Sequence, residues 1–461
     1  MKRLSPSDAM FLYAESREQM MHVAGLMLFE TAPGSRPDHL RELVDEIRAD
    51  PRVCSPFDLT LQTPDFLWNP LQSWHEQQHV DLDYHVRRTA LPSPGDEREL
   101  GIVVSRLHGH HIDFHRPPWE LHLIEGLDRN RFAIYCKVHH SLVDGFSANK
   151  ILSNALSRDP HEQRPLFFAV PQPPRPPKPA PDGEAAMDGA AGLHFPELLG
   201  AVRAQYGATK SVVRALANVA REGAGLVTPR QAPRCILNGR IGKSRRFATS
   251  VVSTARLRAV AKSAGGTLND AILAVSAGSL RRYLLELGAL PDASLVAMLP
   301  VAVRAKDDSG GGNAVAAILA TLATDVVDPR ARLDAIVAST RQAKAQLQGM
   351  SKAAILSYSA LLVAPSMLNM LPMTAGHVRP TFNVVISNVP GPEEPLYFRG
   401  SRMQASYPMS IPVHGQALNI TCTSYAGQVC FGFTGCRDTV PHLQRLAVYS
   451  AEALTELEAG S

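Results

Sequence analysis

The sequence predicts a two-domain α/β chain, and three observations carry that expectation. At 461 residues the chain exceeds what one ordinary hydrophobic core fills. The run Pro171-Gln172-Pro173-Pro174-Arg175-Pro176-Pro177-Lys178-Pro179 cannot form a helix interior or a central strand, so it breaks the chain. On both sides of that break, strand-like runs alternate with helical ones. The boundaries follow: an N-terminal domain over 1–165, a Pro-rich linker with a connecting helix over 166–244, and a C-terminal domain over 245–461.

Composition narrows the class. A hydrophobic share of 45% with 20% charged residues is that of a soluble globular protein, and a net charge of +4 is too small to argue for nucleic acid. The six cysteines (Cys54, Cys136, Cys235, Cys422, Cys430, Cys436) contain no C-x-x-C pair, which predicts reduced, mostly buried thiols. The start Met1-Lys2-Arg3-Leu4-Ser5-Pro6 lacks a secretory apolar core, so a cytoplasmic location is expected.

Taken in order, the first chemistry-bearing stretch is His108, His110, His111 and His115 with Asp113. It resembles a zinc patch, yet no sequence-distant ligand set accompanies it, and a loop is the expectation, with no metal. Arg131 to Val138 is rich in β-formers, with Phe132, Ile134, Cys136 and Val138 alternating against Ala133, Tyr135 and Lys137. That strand runs into His139-His140-Ser141-Leu142-Val143-Asp144-Gly145, after which Phe146 to Ser157 reads as a helix. By strand alternation the two imidazoles point to opposite faces, so one faces a cleft while the other packs behind it.

Strand, tight turn and helix hold a reactive side chain rigidly, and a neutral imidazole suits general-base catalysis near neutral pH. Asp144 either fixes a ring tautomer or pairs with an arginine and pins the loop. No serine or cysteine stands in an elbow, which favours direct attack by an activated acceptor over a covalent acyl-enzyme.

Beyond the proline run, Phe195 to Val227 reads as helical. Arg203, Lys210, Arg214 and Arg221 share one face of it, and Arg230, Arg234, Arg240, Lys243, Arg245 and Arg246 follow. This basic stretch suits either anionic lipid headgroups or a solvated linker face. Gly239 to Ser244 imitates a phosphate loop, but Leu237 stands where glycine is needed and a strand resumes at Arg245. Thr267 is an expected N-cap for a helix over 271–287, with Asp270 completing a box. Leu295 to Val303 reads as a strand ending at Arg304, a partner for either Asp144 or a coenzyme phosphate. Gly310-Gly311-Gly312 reads as a loop. Residues 353–376 carry no formal charge, but Pro365 and Pro372 interrupt them, which predicts a tunnel-lining or surface-dipping helix rather than a spanning one.

The residues around the histidine pair resemble the CoA-dependent acyltransferase superfamily, which includes chloramphenicol acetyltransferase and condensation domains. Within it they are most similar to the bacterial wax ester synthase/diacylglycerol acyltransferase family. The similarity runs almost end to end: Leu4 to Leu12, Met21 to Gly25, Pro117 to Glu120, Asn269-Asp270, Pro300 to Arg304, Ser387 to Pro392, Gln416 to Thr421 and Ser424 to Gly427. Pro118 and Ala302 depart from the usual leucine and serine.

The resemblance implies two chloramphenicol-acetyltransferase-like sandwich domains with the active-site channel between them. It also implies acyl transfer from acyl-CoA, a co-substrate rather than a bound cofactor, to a long-chain alcohol or diacylglycerol. His140 would be the general base, His139, Asp144 and Gly145 its motif partners, and Asn269, Arg304, Ser387 and Asn388 substrate-binding or supporting residues. Peripheral association with the inner membrane or lipid inclusions is expected from the basic 203–246 segment and the uncharged 353–376 run, and insoluble products suit it. The alternatives are a superfamily member with a non-lipid acceptor and a non-catalytic lipid-surface binder.

Overall fold

The computed structural model describes residues 2–4, 6–171, 227, 231–303, 314–348, 377–460 and single positions between 355 and 369. The basic helix, Arg304, the glycine run at 310–312 and most of the uncharged 353–376 run lie outside the described residues.

Two six-stranded sheets and a small third sheet form the frame. The small sheet pairs β1 (Lys2–Arg3), β4 (Ser73–Glu76) and β3 (Leu59–Leu61). The N-terminal sheet runs β12 (Tyr397–Phe398), β13 (Ser401–Met409), β2 (His22–Glu30), β7 (Arg131–His139), β6 (Trp119–Leu127), β5 (Val86–Ala90). The C-terminal sheet runs β10 (Ala314–Thr321), β9 (Val296–Val303), β11 (Val384–Val389), β14 (Leu418–Tyr425), β15 (Gln428–Cys436), β8 (Arg245–Ser253). Helices α1 (Pro6–Ala14), α2 (His39–Ala49), α3 (Leu82–His85), α4 (Glu97–His108) and α5 (Gly145–Asn154) belong to the first half. Helices α6 (Thr254–Ser263), α7 (Leu268–Glu286), α8 (Pro329–Leu347) and α9 (Gln444–Ala459) belong to the second. No helix among the described residues is long and apolar enough to cross a membrane.

Two strands from late in the chain complete the N-terminal sheet. β13 pairs antiparallel with β2, from Met409 opposite Ala24 to Arg402 opposite Glu30. The same strand crosses close to β15: a Cβ on Gly432 would stand 2.0 Å from the Pro408 carbonyl oxygen, so any side chain there would push the two strands apart. Hydrophobic burial follows the same plan. One core gathers Phe29, Trp119, Phe132 and Ile134, and the other gathers Ala271 through Val275 on α7 with Phe431 and Phe433.

Strand β7 is buried on both faces. The last turn of α4 covers one side, where Lys137 Nζ donates to the carbonyls of Leu107 (3.2 Å) and His110 (3.0 Å). α5 covers the other, with Leu152 against Gly25 of the paired strand. Lys137 is wholly buried and lies 3.2 Å from the Glu120 carboxylate. Burial works to raise the Glu120 pKa, but the His122 hydrogen bond and the Lys137 charge hold it down at about 2. The ammonium is itself pushed below its usual value by burial, against the pull of Glu120. A buried charge survives only where such partners surround it.

The start of α7 is set by its cap. Asp270 Oδ2 accepts from the Thr267 N–H and hydroxyl, both at 2.7 Å, and Oδ1 accepts from Thr340 at 2.6 Å. This box starts the helix at Leu268, three residues before the apolar periodicity alone places it. The six cysteines are free thiols, four of them buried.

Candidate active site

His139 ends β7, and His140 is the first residue beyond it. The His140 N–H donates to the Met21 carbonyl (2.8 Å), and the His139 N–H to that of Pro118 (2.9 Å), so the backbone beneath the pair is held on both sides. The side chains then meet different surroundings. His139 is buried, with Nδ1 accepting from the Ser141 N–H (3.2 Å) and lying 2.6 Å from the Ser141 hydroxyl. With Nδ1 an acceptor, Nε2 carries the proton and points it at the Glu15 carboxylate, 3.4 Å away. Glu15 also accepts from the Met21 N–H (2.6 Å) and from His111 (3.0 Å). Burial works to raise the Glu15 pKa, but the hydrogen bonds from His111 and His139 hold it below the ordinary carboxylate value.

Ser141, His139 and Glu15 thus form a hydroxyl–imidazole–carboxylate chain, the connectivity of a nucleophilic triad. Its burial argues against that use. Ser141 and His139 are each 1% exposed, which leaves no approach for a thioester. The chain holds the strand end in place.

His140 is half-buried, and its ring stacks on Phe11 of α1, centroids 4.0 Å apart and planes 21° from parallel. Nδ1 is buried without a partner among the described residues, so Nε2 is the nitrogen left to exchange a proton with a bound molecule. Burial pushes the ring's pKa down to about 4, with Asp144 opposing and His139 adding to the fall. Because this value lies below the usual one, the neutral base form persists as pH drops through the ordinary histidine range. The acid limb of kcat/KM is therefore expected near pH 4, and a midpoint near the unperturbed value of 6.5 would contradict the assignment.

Asp144 caps α5. Its Oδ1 accepts from the Ser147 N–H and its Oδ2 from the Ser147 hydroxyl, each at 2.9 Å. Asp144→Ala is expected to lower stability by about 0.5–2 kcal/mol and turnover with it. Asp144→Asn, which can still accept from Ser147, should keep most of that stability. Equal melting temperatures for Asp144→Ala and the native chain would remove the cap from the account.

Gly145 is the first residue of α5, it is not among the left-handed glycines, and, its chain neighbours and own helix aside, no atom of the described residues lies within 4 Å of where its Cβ would stand. Its missing side chain keeps space open beside the loop.

The other expected site residues lie in the second half of the chain. Asn269 is half-buried in the first turn of α7, beside the Thr267–Asp270 box. Ser387 and Asn388 sit in β11 opposite Thr421 and Cys422, and the Asn388 Oδ1 is buried without a partner among the described residues. Arg304 lies outside the described residues. The histidine patch divides: His108 lies 3.1 Å from the Tyr135 hydroxyl in the core, His111 bonds Glu15, and His115 lies between Asp113 and Asp65. Phe11, Glu15 and Phe114, whose ring meets His139 edge-on at 5.0 Å, are the functional neighbours that sequence reasoning missed. Glu15 stands 124 residues from His139, so no local spacing reveals it.

The first 58% of the chain, residues 4–272, matches the wax ester synthase/diacylglycerol acyltransferase catalytic domain, and residues 311–458 match the C-terminal domain of the same family. A Mycobacterium tuberculosis (strain ATCC 25618 / H37Rv) relative, provisionally named a diacylglycerol O-acyltransferase, is 52% identical over 99% of this chain and 97% of its own. The structure of the wax ester synthase/diacylglycerol acyltransferase from Marinobacter aquaeolei VT8 superposes with a TM-score of 0.80 at 38% identity, covering 100% of this chain and 99% of that one. The first condensation domain of the calcium-dependent antibiotic synthetase shares the fold, with a TM-score of 0.54 at 15% identity over 99% of this chain and 95% of that one. The chain belongs to the wax ester synthase/diacylglycerol acyltransferase family.

Proposed function

We propose that this O-acyltransferase moves a fatty acyl group from acyl-CoA to the hydroxyl of a long-chain alcohol, giving wax ester, or of diacylglycerol, giving triacylglycerol. The single observation that carries the reading is the half-buried His140, whose pKa burial lowers to about 4 and whose Nδ1 has no partner among the described residues, which leaves Nε2 for a bound molecule. His140 Nε2 takes the hydroxyl proton as the acceptor oxygen attacks the thioester carbonyl. The new C–O bond forms, the C–S bond breaks, and the proton returns to the departing thiolate, so ester and CoA leave with no net proton consumed. His139, held by Ser141 and Glu15, and Asp144, held by Ser147, keep the loop in register.

Asn269, Arg304, Ser387 and Asn388 belong to the substrate-supporting set in this reading, and the Asn388 oxygen, unpartnered among the described residues, is an acceptor available to a bound group. The work is done at the cytoplasmic membrane face or on lipid inclusions, where an insoluble product can leave. Incubation with labelled acyl-CoA and either hexadecanol or diacylglycerol should give labelled ester with at least one of them. Acylation of a small polar acceptor alone would overturn the reading.

A further inference from the structure

Large apolar side chains are concentrated on one exposed surface next to the histidine pair. Phe66, Trp68 and Leu71 are 57%, 57% and 69% exposed on the 62–72 loop, and Met10 is 46% exposed on α1. The loop is fixed to that helix. Trp68 stacks on Tyr13, centroids 5.8 Å apart, and the Tyr13 hydroxyl donates to the Asn69 carbonyl at 3.4 Å. Met10 and Tyr13 lie one turn apart, so helix and loop present their apolar groups together. An exposed apolar cluster of this kind marks an interaction surface, and tryptophan beside aliphatic groups suits a membrane interface.

Two further features select the partner. The histidine-rich loop joins the same surface, because His115 lies 3.2 Å from Asp65 and His111 lies 3.2 Å from the Arg17 carbonyl. Arg17 is exposed there with no ion pair among the described residues. A cation at the rim of an apolar patch complements anionic headgroups. Two of the three elements at this surface also carry the rings against the histidine pair: Phe11 of α1 on His140, and Phe114 of the histidine-rich loop on His139.

We propose that Met10, Phe66, Trp68 and Leu71 seat the enzyme on an anionic lipid surface, with the acceptor passing from lipid along α1 to His140. The proposal rests on the reading above that the acceptor is a lipid, and its test separates the two. The chain has three tryptophans, and Trp74 and Trp119 are buried, so a change in emission on lipid binding reports Trp68.

The full chain is titrated with vesicles of phosphatidylcholine and phosphatidylglycerol, with and without brominated acyl chains. Trp68 emission should shift to the blue and be quenched by the brominated lipid. Phe66→Ser with Leu71→Ser should weaken vesicle flotation about tenfold or more, since two large apolar side chains no longer leave water on binding. The same double variant should acylate a water-soluble short alcohol at the native rate.

Native-like flotation of the double variant, or an unshifted Trp68 in vesicle-bound protein, overturns the proposal and assigns binding to another surface. A blue shift that grows with protein concentration in the absence of vesicles overturns it in favour of a second copy of the chain. If Trp68 enters the bilayer but neither hexadecanol nor diacylglycerol is acylated, the acceptor reading fails while the lipid seat stands.

Discussion

His140→Ala is expected to lower turnover about 100- to 10,000-fold, the range that general-base assistance supplies, while the protein stays folded. The fold should survive because the anchor at this position is the backbone bond from the His140 N–H to Met21, which alanine retains. The side chain is half-buried, and its ring contact with Phe11 is the main packing lost. Release of CoA thiol in the presence of hexadecanol, measured beside a thermal melt, separates chemistry from folding. A folded variant working near the native rate would dismiss His140 as the base. His139→Ala should also slow the enzyme, through release of the strand end from Glu15 and Ser141 rather than through proton transfer.

Lys137→Met should have the largest effect on stability. It strips the ammonium from a carboxylate that is almost fully buried and leaves Glu120 with His122 at 3.3 Å and Arg87 at 3.9 Å. Removing one partner of a buried pair costs about 3–5 kcal/mol, because the remaining charge stays out of water. Replacing both, Lys137→Met with Glu120→Leu, should recover much of that loss. Denaturant midpoints for the two variants check the pair, and a single variant as stable as the native chain would contradict it.

What was legible in the sequence was local. The strand over 131–138, the histidine pair and the helix after Gly145 lie within a few residues of one another, and period-2 alternation followed by helical spacing marks them. The Thr267–Asp270 box was equally readable, because its hydrogen bonds close within one turn. Long-range pairing was not. Nothing near residues 401–409 indicates that this strand sits against residues 24–30 in the N-terminal sheet. The alternation along β7 separates two faces but does not show that the end of α4 covers one of them and turns Lys137 into a core residue. Glu15 escaped for the same reason: its meaning depends on three partners brought in from residues 21, 111 and 139.

The central claim is direct transfer, with His140 as base and no acyl-enzyme. Its rival within this geometry is acylation of Ser141, whose hydroxyl lies 2.6 Å from His139. The deciding measurement is rapid mixing of enzyme with labelled acyl-CoA in the absence of any acceptor, followed by denaturation and analysis of the protein. Direct transfer predicts no burst of CoA and no label on the chain, with turnover starting when hexadecanol or diacylglycerol is added. A burst of CoA equal to the enzyme concentration, with label on Ser141, would contradict it.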